Sequence, residues 1–172
     1  MEAPLPGRDE AIRFVRDDRL RTQAFLDRLP ARAIVTPGLG GGDWSPKDML
    51  GHLESWEQHA LDAMDAWSHG RVAPSDRALR TMGLDAFNLA EVRRKAAWSL
   101  ARTVDSAAAT HRRLLAALGA ISADAWAAPP TKRSRRALGT HLGGILGGPA
   151  GSFRHDLAHH PELEAFAADH RS

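Results

Sequence analysis

The stretch Asp43-Trp44-Ser45-Pro46-Lys47-Asp48-Met49-Leu50-Gly51-His52-Leu53 decides the fold. Ser45 can cap a helix, because its hydroxyl oxygen can accept from an otherwise orphaned backbone N–H. Pro46 suits the first helical position, where no N–H is needed. Asp48 stands at the third position, where a carboxylate meets the positive end of the helix dipole. Beyond this start, Met49, Leu53, Trp56, Ala60, Met64 and Trp67 recur at three- and four-residue steps. The pattern predicts an amphipathic helix of about six turns ending at His69-Gly70.

Three further helices are expected around it. One runs from Asp9 to Leu29, with Ile12, Val15, Phe25, Leu26 and Leu29 on one side, ended by Pro30 and a loop at Pro37-Gly38 through Gly42. The next is read as continuous from Asp85 to Leu118, with Leu89, Val92, Ala96, Leu100, Thr103, Ala107, Leu114 and Leu118 as its buried stripe. The last runs from Gly151 to Ala168, with a kink expected at Pro161. Ser122 to Gly139 reads as a loop, and the glycines of Gly139 to Gly151 leave the start of the last element open. The expected fold is all-α: an antiparallel four-helix bundle with long inter-helix loops. It forms one domain over 1–172, with 1–8 and 169–172 expected to be flexible.

Composition agrees and narrows the chemistry. The chain has 172 residues, 43% of them hydrophobic and 26% charged, so it can bury a real core. Ile and Val together number nine against 31 Ala, and there is no Tyr, which disfavours a sheet. With no Cys, disulfides, cysteine zinc sites and a protein-borne thiol nucleophile are excluded, and with no Tyr a catalytic phenol is too. The formal net charge of +2 does not suggest non-specific nucleic-acid binding, and the basic run Lys132, Arg133, Arg135, Arg136 is short and lacks interleaved aromatics. No apolar run of about 18 residues exists for a membrane span, and Met1 to Gly7 lacks a secretory pattern. A cytoplasmic protein is expected.

The nine histidines are the conspicuous functional groups. His155 and His159 are four apart and share one face of the last helix, a spacing that offers two imidazoles to one metal ion. His52 sits at the edge of the apolar stripe of its helix and can face them if the two helices pack together. Spacing alone leaves metal binding and a surface or capping role both open. His59, one heptad past His52, is a neighbour of the same cavity. His160 is a weaker ligand candidate, His111 reads as half-buried and satisfied, His141 has no assigned place, and His69 and His170 close helices.

The motif from Asp43 to Leu53, extended by Glu54-Ser55-Trp56-Glu57, resembles the second-helix signature of the DinB superfamily. There a Trp-Ser/Thr pair opens the helix and a His-Leu ends the motif. His155-Asp156-Leu157-Ala158-His159 is similar to the His-x-x-x-His of the family's fourth helix, and Phe87-Asn88 resembles an aromatic-Asn pair of the ClbS/DfsB branch. The resemblance covers roughly Asp9 to Ala168. It implies a DinB-like four-helix bundle holding a divalent metal, zinc or nickel first and iron as a further option, on His52, His155 and His159. Some members keep the fold without a metal. The Gly143 to Gly151 run and Pro161 depart from a regular bundle helix.

Three functions remain open at this level. The ClbS/DfsB likeness implies a detoxifying or self-resistance enzyme that opens a strained electrophile with water, using a metal-bound nucleophile. Glu54 or Glu57 would serve as base or orient a ligand histidine, unless they are ordinary solvent-facing residues; Asp156 is a weaker choice. A second reading is an S-transferase or isomerase that uses a low-molecular-weight thiol such as mycothiol, bacillithiol or glutathione, whose carboxylate or sugar groups Arg133, Arg135, Arg136 or Arg154 would receive. The third is a non-catalytic protein that sequesters a small molecule against Trp44, Trp56, Trp67, Trp98 or Trp126. The expected substrate-binding set is Trp44, Trp56, His59, Asn88 and Arg154. The expected partners are a small-molecule substrate and, since bundles of this kind often dimerise, a second copy.

Overall fold

The structure, a computed structural model, describes residues 5–170, and these are helical with no strand among them. The described helices are α1 (Arg8–Leu26), α2 (Ala31–Ile34), α3 (Pro46–Ser68), α4 (Pro74–Met82), α5 (Leu84–Lys95), α6 (Leu100–Ala120), α7 (Ala123–Ala127), α8 (Leu138–Ile145) and α9 (His155–Asp169). A 3-10 turn at Leu39–Gly41 leads into α3. Of the termini expected to be flexible, Arg8 opens α1 and Asp169 closes α9. Residues 1–4 and 171–172 lie outside the described residues.

The opening of α3 follows the capping logic of its sequence. Ser45 accepts from the Asp48 backbone N–H at 3.2 Å, and the Asp48 carboxylate accepts from the Ser45 backbone N–H at 3.0 Å, a reciprocal capping box with Pro46 at the first position. α3 runs through the middle of the molecule and packs on α6, α5, α4, α8 and α9, while α1 packs on α9 and α6. Two apolar clusters result. One joins Val15, Trp67, Leu114, Leu118, Trp126, Leu142 and Phe153; the other joins Leu26, Leu29, Met49, Leu50, Leu53, Leu163 and Phe166.

The structure corrects the element boundaries at three places. The expected single helix from Asp85 to Leu118 is two, interrupted at residues 96–99. Ser99 caps α6 by accepting from the Arg102 N–H, and Lys95 turns inward to α3 instead of continuing an apolar stripe. Leu89 and Ala96 are accordingly exposed, whereas Thr103, Ala107, Leu114 and Leu118 are buried. The expected long loops carry helix: α2 before α3, α4 before α5, and α7 and α8 before α9. The glycine-rich segment forms α8 because tertiary contacts use the missing side chains. Gly143 faces the Phe153 ring and Ser152, and Gly139 faces the Trp126 indole. Pro161 lies inside α9, where it removes one backbone donor without ending the helix.

Gly139→Ala tests this close packing. A Cβ there would meet indole atoms at 2.5 Å, against a ring that is itself buried and stacked on Phe153. The expected loss is about 1–3 kcal/mol, read as a lower thermal midpoint, with helicity at low temperature unchanged.

Candidate metal centre

His52, His155 and His159 are brought together by α3 and α9, with one ligand nitrogen from each within 4.8 Å of the others. Nε2 of His52 lies 3.1 Å from Nε2 of His155. Two nitrogens bound to one tetrahedral zinc at about 2.0–2.1 Å stand about 3.4 Å apart, so this approach is near that of two ligands sharing an ion. His52 is 4% exposed and packs edge-on to both partners, with ring centroids 4.9 and 5.4 Å away.

His52 and His155 are neutral imidazoles, the form that ligates. Burial, followed by repulsion from His155 and His159, lowers the pKa of His52 to about 2. Burial, followed by His159, lowers His155 to about 4. The outer nitrogens are less uniform. His159 Nδ1 is 3.5 Å from a Glu162 carboxylate oxygen, whereas His52 Nδ1 is buried beside Trp44 with no hydrogen-bond partner among the described residues. Three convergent imidazole nitrogens with one face open to a cleft fit a divalent ion.

The register of α9 is fixed from its far side. Arg154 reaches α1 and donates to both carboxylate oxygens of Asp18, at 2.6 and 3.1 Å, with its guanidinium over the Phe14 ring. Asp156 takes two bonds from Arg19, at 2.7 and 3.2 Å, and one from the Thr22 hydroxyl at 2.8 Å. Burial opposes ionisation of Asp156, but the Arg19 charge and these hydrogen bonds outweigh it and lower its pKa. His160 joins the same seam through Thr22 and the Asp18 carbonyl, which is why it does not join the triad. The backbone N–H of His155 is also tied to the Leu146 carbonyl at the end of α8. With residues 154, 156 and 160 bound to α1, positions 155 and 159 are left to face α3.

Glu54 and Glu57 are buried, not solvent-facing, and neither bonds to the triad. Glu54 forms an ion pair with Lys95 and accepts from the Thr110 and Ser106 hydroxyls at 3.0 and 3.3 Å; Lys95 also donates to the Gly51 carbonyl and the Ser55 hydroxyl. Burial lowers the Lys95 pKa despite that pairing. Glu57 accepts from Arg19 at 3.2 Å and has Nδ1 of His111 at 2.7 Å.

The triad opens into a cleft of about 700 Å³. Trp56 and Asn88 line it together with Leu84, the glycine run 143–151 and Glu162. The Trp56 indole N–H donates to the Asn88 side-chain oxygen at 3.0 Å, which fixes the amide and leaves its NH₂ group for other partners. Trp44 lies on an adjoining hollow shared with His159 and Glu162. His59 and Arg154, expected at the ligand, are elsewhere. His59 packs behind Trp56 against Phe87 with Glu91 3.8 Å away, and Arg154 is committed to Asp18. Of the other tryptophans, Trp67 and Trp126 are core and Trp98 lies under Arg102.

Two contributors were missed in the sequence. Glu162 is the one carboxylate among the described residues of the cleft lining, and its signal was present, since it lies three residues after His159 on the same helical face. The glycine run builds one wall, which no helical periodicity announces. No helix of the described residues is long and apolar enough to cross a membrane.

The depressed histidine pKa values give a pH signature in metal-free protein. Below about 6.5 the unfolded chain takes up protons that folded His52 and His155 refuse, so stability falls as pH falls from about 6.5 toward about 4. The expected slope is about 1.4 kcal/mol per pH unit for each imidazole, measured by urea unfolding between pH 7 and pH 5. His52→Ala and His155→Ala should each flatten it.

Comparison with protein families matches residues 15–147 to the DinB superfamily. The match contains His52 and stops short of His155 and His159, which the geometry supplies independently. No curated protein and no solved structure matches the chain. With most of its length matched, the chain belongs to the DinB superfamily.

Proposed function

We propose that the chain is a metal-dependent enzyme that opens a reactive, strained-ring electrophile with water, as its likeness to the ClbS/DfsB branch implies, in a detoxifying or self-resistance role. The observation that carries the reading is the convergence of three imidazoles on an open cleft, where an ion would keep positions free for solvent and ligand. A divalent ion there supplies Lewis acidity and makes water nucleophilic near neutral pH. Membership of a superfamily whose members bind metal and are often enzymes supports it. The mutual packing of α1, α3, α6 and α9 likewise supports an antiparallel four-helix bundle as the frame.

The residues of the chain divide the remaining work. His52, His155 and His159 hold the ion. The Asn88 amide, held by Trp56, orients the ligand, and the Trp56 ring and glycine wall give it an apolar bed. Glu162 is placed to take the proton of the attacking water. Oxygen bonds to one ring carbon, the strained ring bond breaks, and the proton passes to the carbon released. The lining bears on thiol transfer in part. Among the described residues no Arg or Lys lines the cleft, and Arg133, Arg135 and Arg136 lie outside it, so the carboxylates of a thiol such as glutathione find no cationic partner there.

Purified protein is expected to carry about one zinc or nickel ion per chain by elemental analysis, and His52→Ala, His155→Ala and His159→Ala are each expected to lose it. With an activated cyclopropane as probe, the product gains the mass of water and carries ¹⁸O from labelled solvent. Products carrying an added thiol, or full turnover without metal, would overturn hydrolysis. Glu162→Gln should lower kcat by about 10²–10⁴ at saturating metal. Gly144→Leu is expected to raise KM without loss of fold, because a Cβ at this cleft-lining position meets nothing within 4 Å.

A further inference from the structure

Beside His155 lies a second, small and partly enclosed cavity of about 10 Å³. It is lined by Val15, Asp18, Leu53, Glu57, Leu146, Phe153, His155 and Asp156, and is thus bordered by α1, α3, the end of α8 and the first turn of α9. A polar cavity holds a water when its volume reaches about 10–15 Å³ and two to four polar groups face it. This cavity meets the volume condition for a single molecule.

The polar groups on its wall are unequal. Both oxygens of Asp18 receive Arg154, and both oxygens of Asp156 receive Arg19 or Thr22. Glu57 is different: Oε1 takes Arg19 and His111, while Oε2 is buried with no hydrogen-bond partner among the described residues. A carboxylate oxygen stripped of partners in the interior is costly. His155 is the complementary case. Its Nε2 faces His52, and its ring makes no hydrogen bond to a described residue beyond that one. A ring whose Nε2 is a ligand carries its proton on Nδ1 and has one donor to place. Glu57, with its unpartnered Oε2, and His155, with a ring nitrogen that bonds to no described residue, therefore both border one water-sized space.

We infer that this cavity is a binding site for one structural water that accepts from Nδ1–H of His155 and donates to Oε2 of Glu57, making Glu57 a positioning residue for the metal centre. The water's second hydrogen has a further acceptor in the lone pairs of Asp18 or Asp156 on the same wall. Through Glu57 the bridge continues to Arg19 and His111, so α1 and α6 both set the orientation of a ligand on α9. The link is second-hand, which is how Glu57 can serve the site without touching a histidine of the triad. The role in metal binding rests on the proposed metal function; the water site does not.

Two sets of measurements separate these. In metal-free protein, water–protein NOE spectra are expected to show a long-lived water near His155, and ¹⁵N spectra its Nδ1–H tautomer. With zinc, Glu57→Gln and Val15→Ile are each expected to weaken affinity about 10–100-fold, the range for loss of an outer partner of a ligating histidine. Val15→Ile adds a methylene to the cavity wall and displaces the water with every charge left in place, so its effect does not depend on Glu57→Gln folding normally. Glu164→Gln, exposed on α9, is expected to leave zinc affinity unchanged. Absence of the long-lived water together with wild-type affinity in Val15→Ile overturns the bridge. So does weakening by Glu57→Gln alone, which would place the effect in the Arg19 seam. Wild-type protein that holds the water but takes up no zinc retains the site and removes the metal function instead.

Discussion

The buried contact between Arg19 of α1 and Asp156 of α9 organises much of the molecule. Both side chains are almost fully withdrawn from solvent, so each charge would be expensive alone. Together, with Thr22 on the carboxylate and Glu57 sharing the guanidinium, they satisfy one another. Removing one partner of such a pair costs far more than the pair itself contributes, because the other charge is left behind in the interior. The contact therefore specifies how α9 sits on α1 more than it adds net stability. It is reinforced two residues earlier on the chain by Arg154 on Asp18 and one turn later by His160 on Thr22.

The metal centre is the consequence of that seam on the opposite side of the same helix. A helix turns by about 100° per residue, so a helix bound to α1 by positions 156 and 160 presents 155 and 159 to another neighbour. That neighbour is α3, whose capped start sets the depth at which His52 enters. Burial then keeps His52 and His155 neutral, which suits them to a cation and unsuits them to a proton. The Glu54–Lys95 pair does comparable work on the other flank. It docks the end of α5 against α3 and thereby sets Asn88 and Trp56 at the cleft.

Legibility in the sequence followed the range of the forces involved. α3 was readable to its ends because capping, dipole and apolar period are local and agreed. The three histidines were readable as a family motif and as an i, i+4 pair with a third partner, though not as a meeting point. The break at residues 96–99 was missed because Lys95 leaves the apolar pattern for a partner on α3, 41 positions earlier. α8 was missed because its glycines are poor helix formers whose use is close approach to Trp126, Phe153 and Ser152. Glu54 and Glu57 were read as either reactive or solvent-facing, whereas their partners are cations on α5 and α1, hydroxyls on α6 and a histidine of α6.

By itself the sequence determined an all-helical chain without cysteine or tyrosine chemistry, a firmly capped second long helix, and a set of imidazoles as the available metal donors. Helix starts and apolar periods act over a few residues and can be read along the chain. Tertiary structure alone decided which histidines meet, which carboxylates are spent on internal ion pairs, and that Glu162 and a glycine wall border the cleft. Those outcomes rest on desolvation and charge pairing between distant segments, whose cost and gain exist only once the helices are packed.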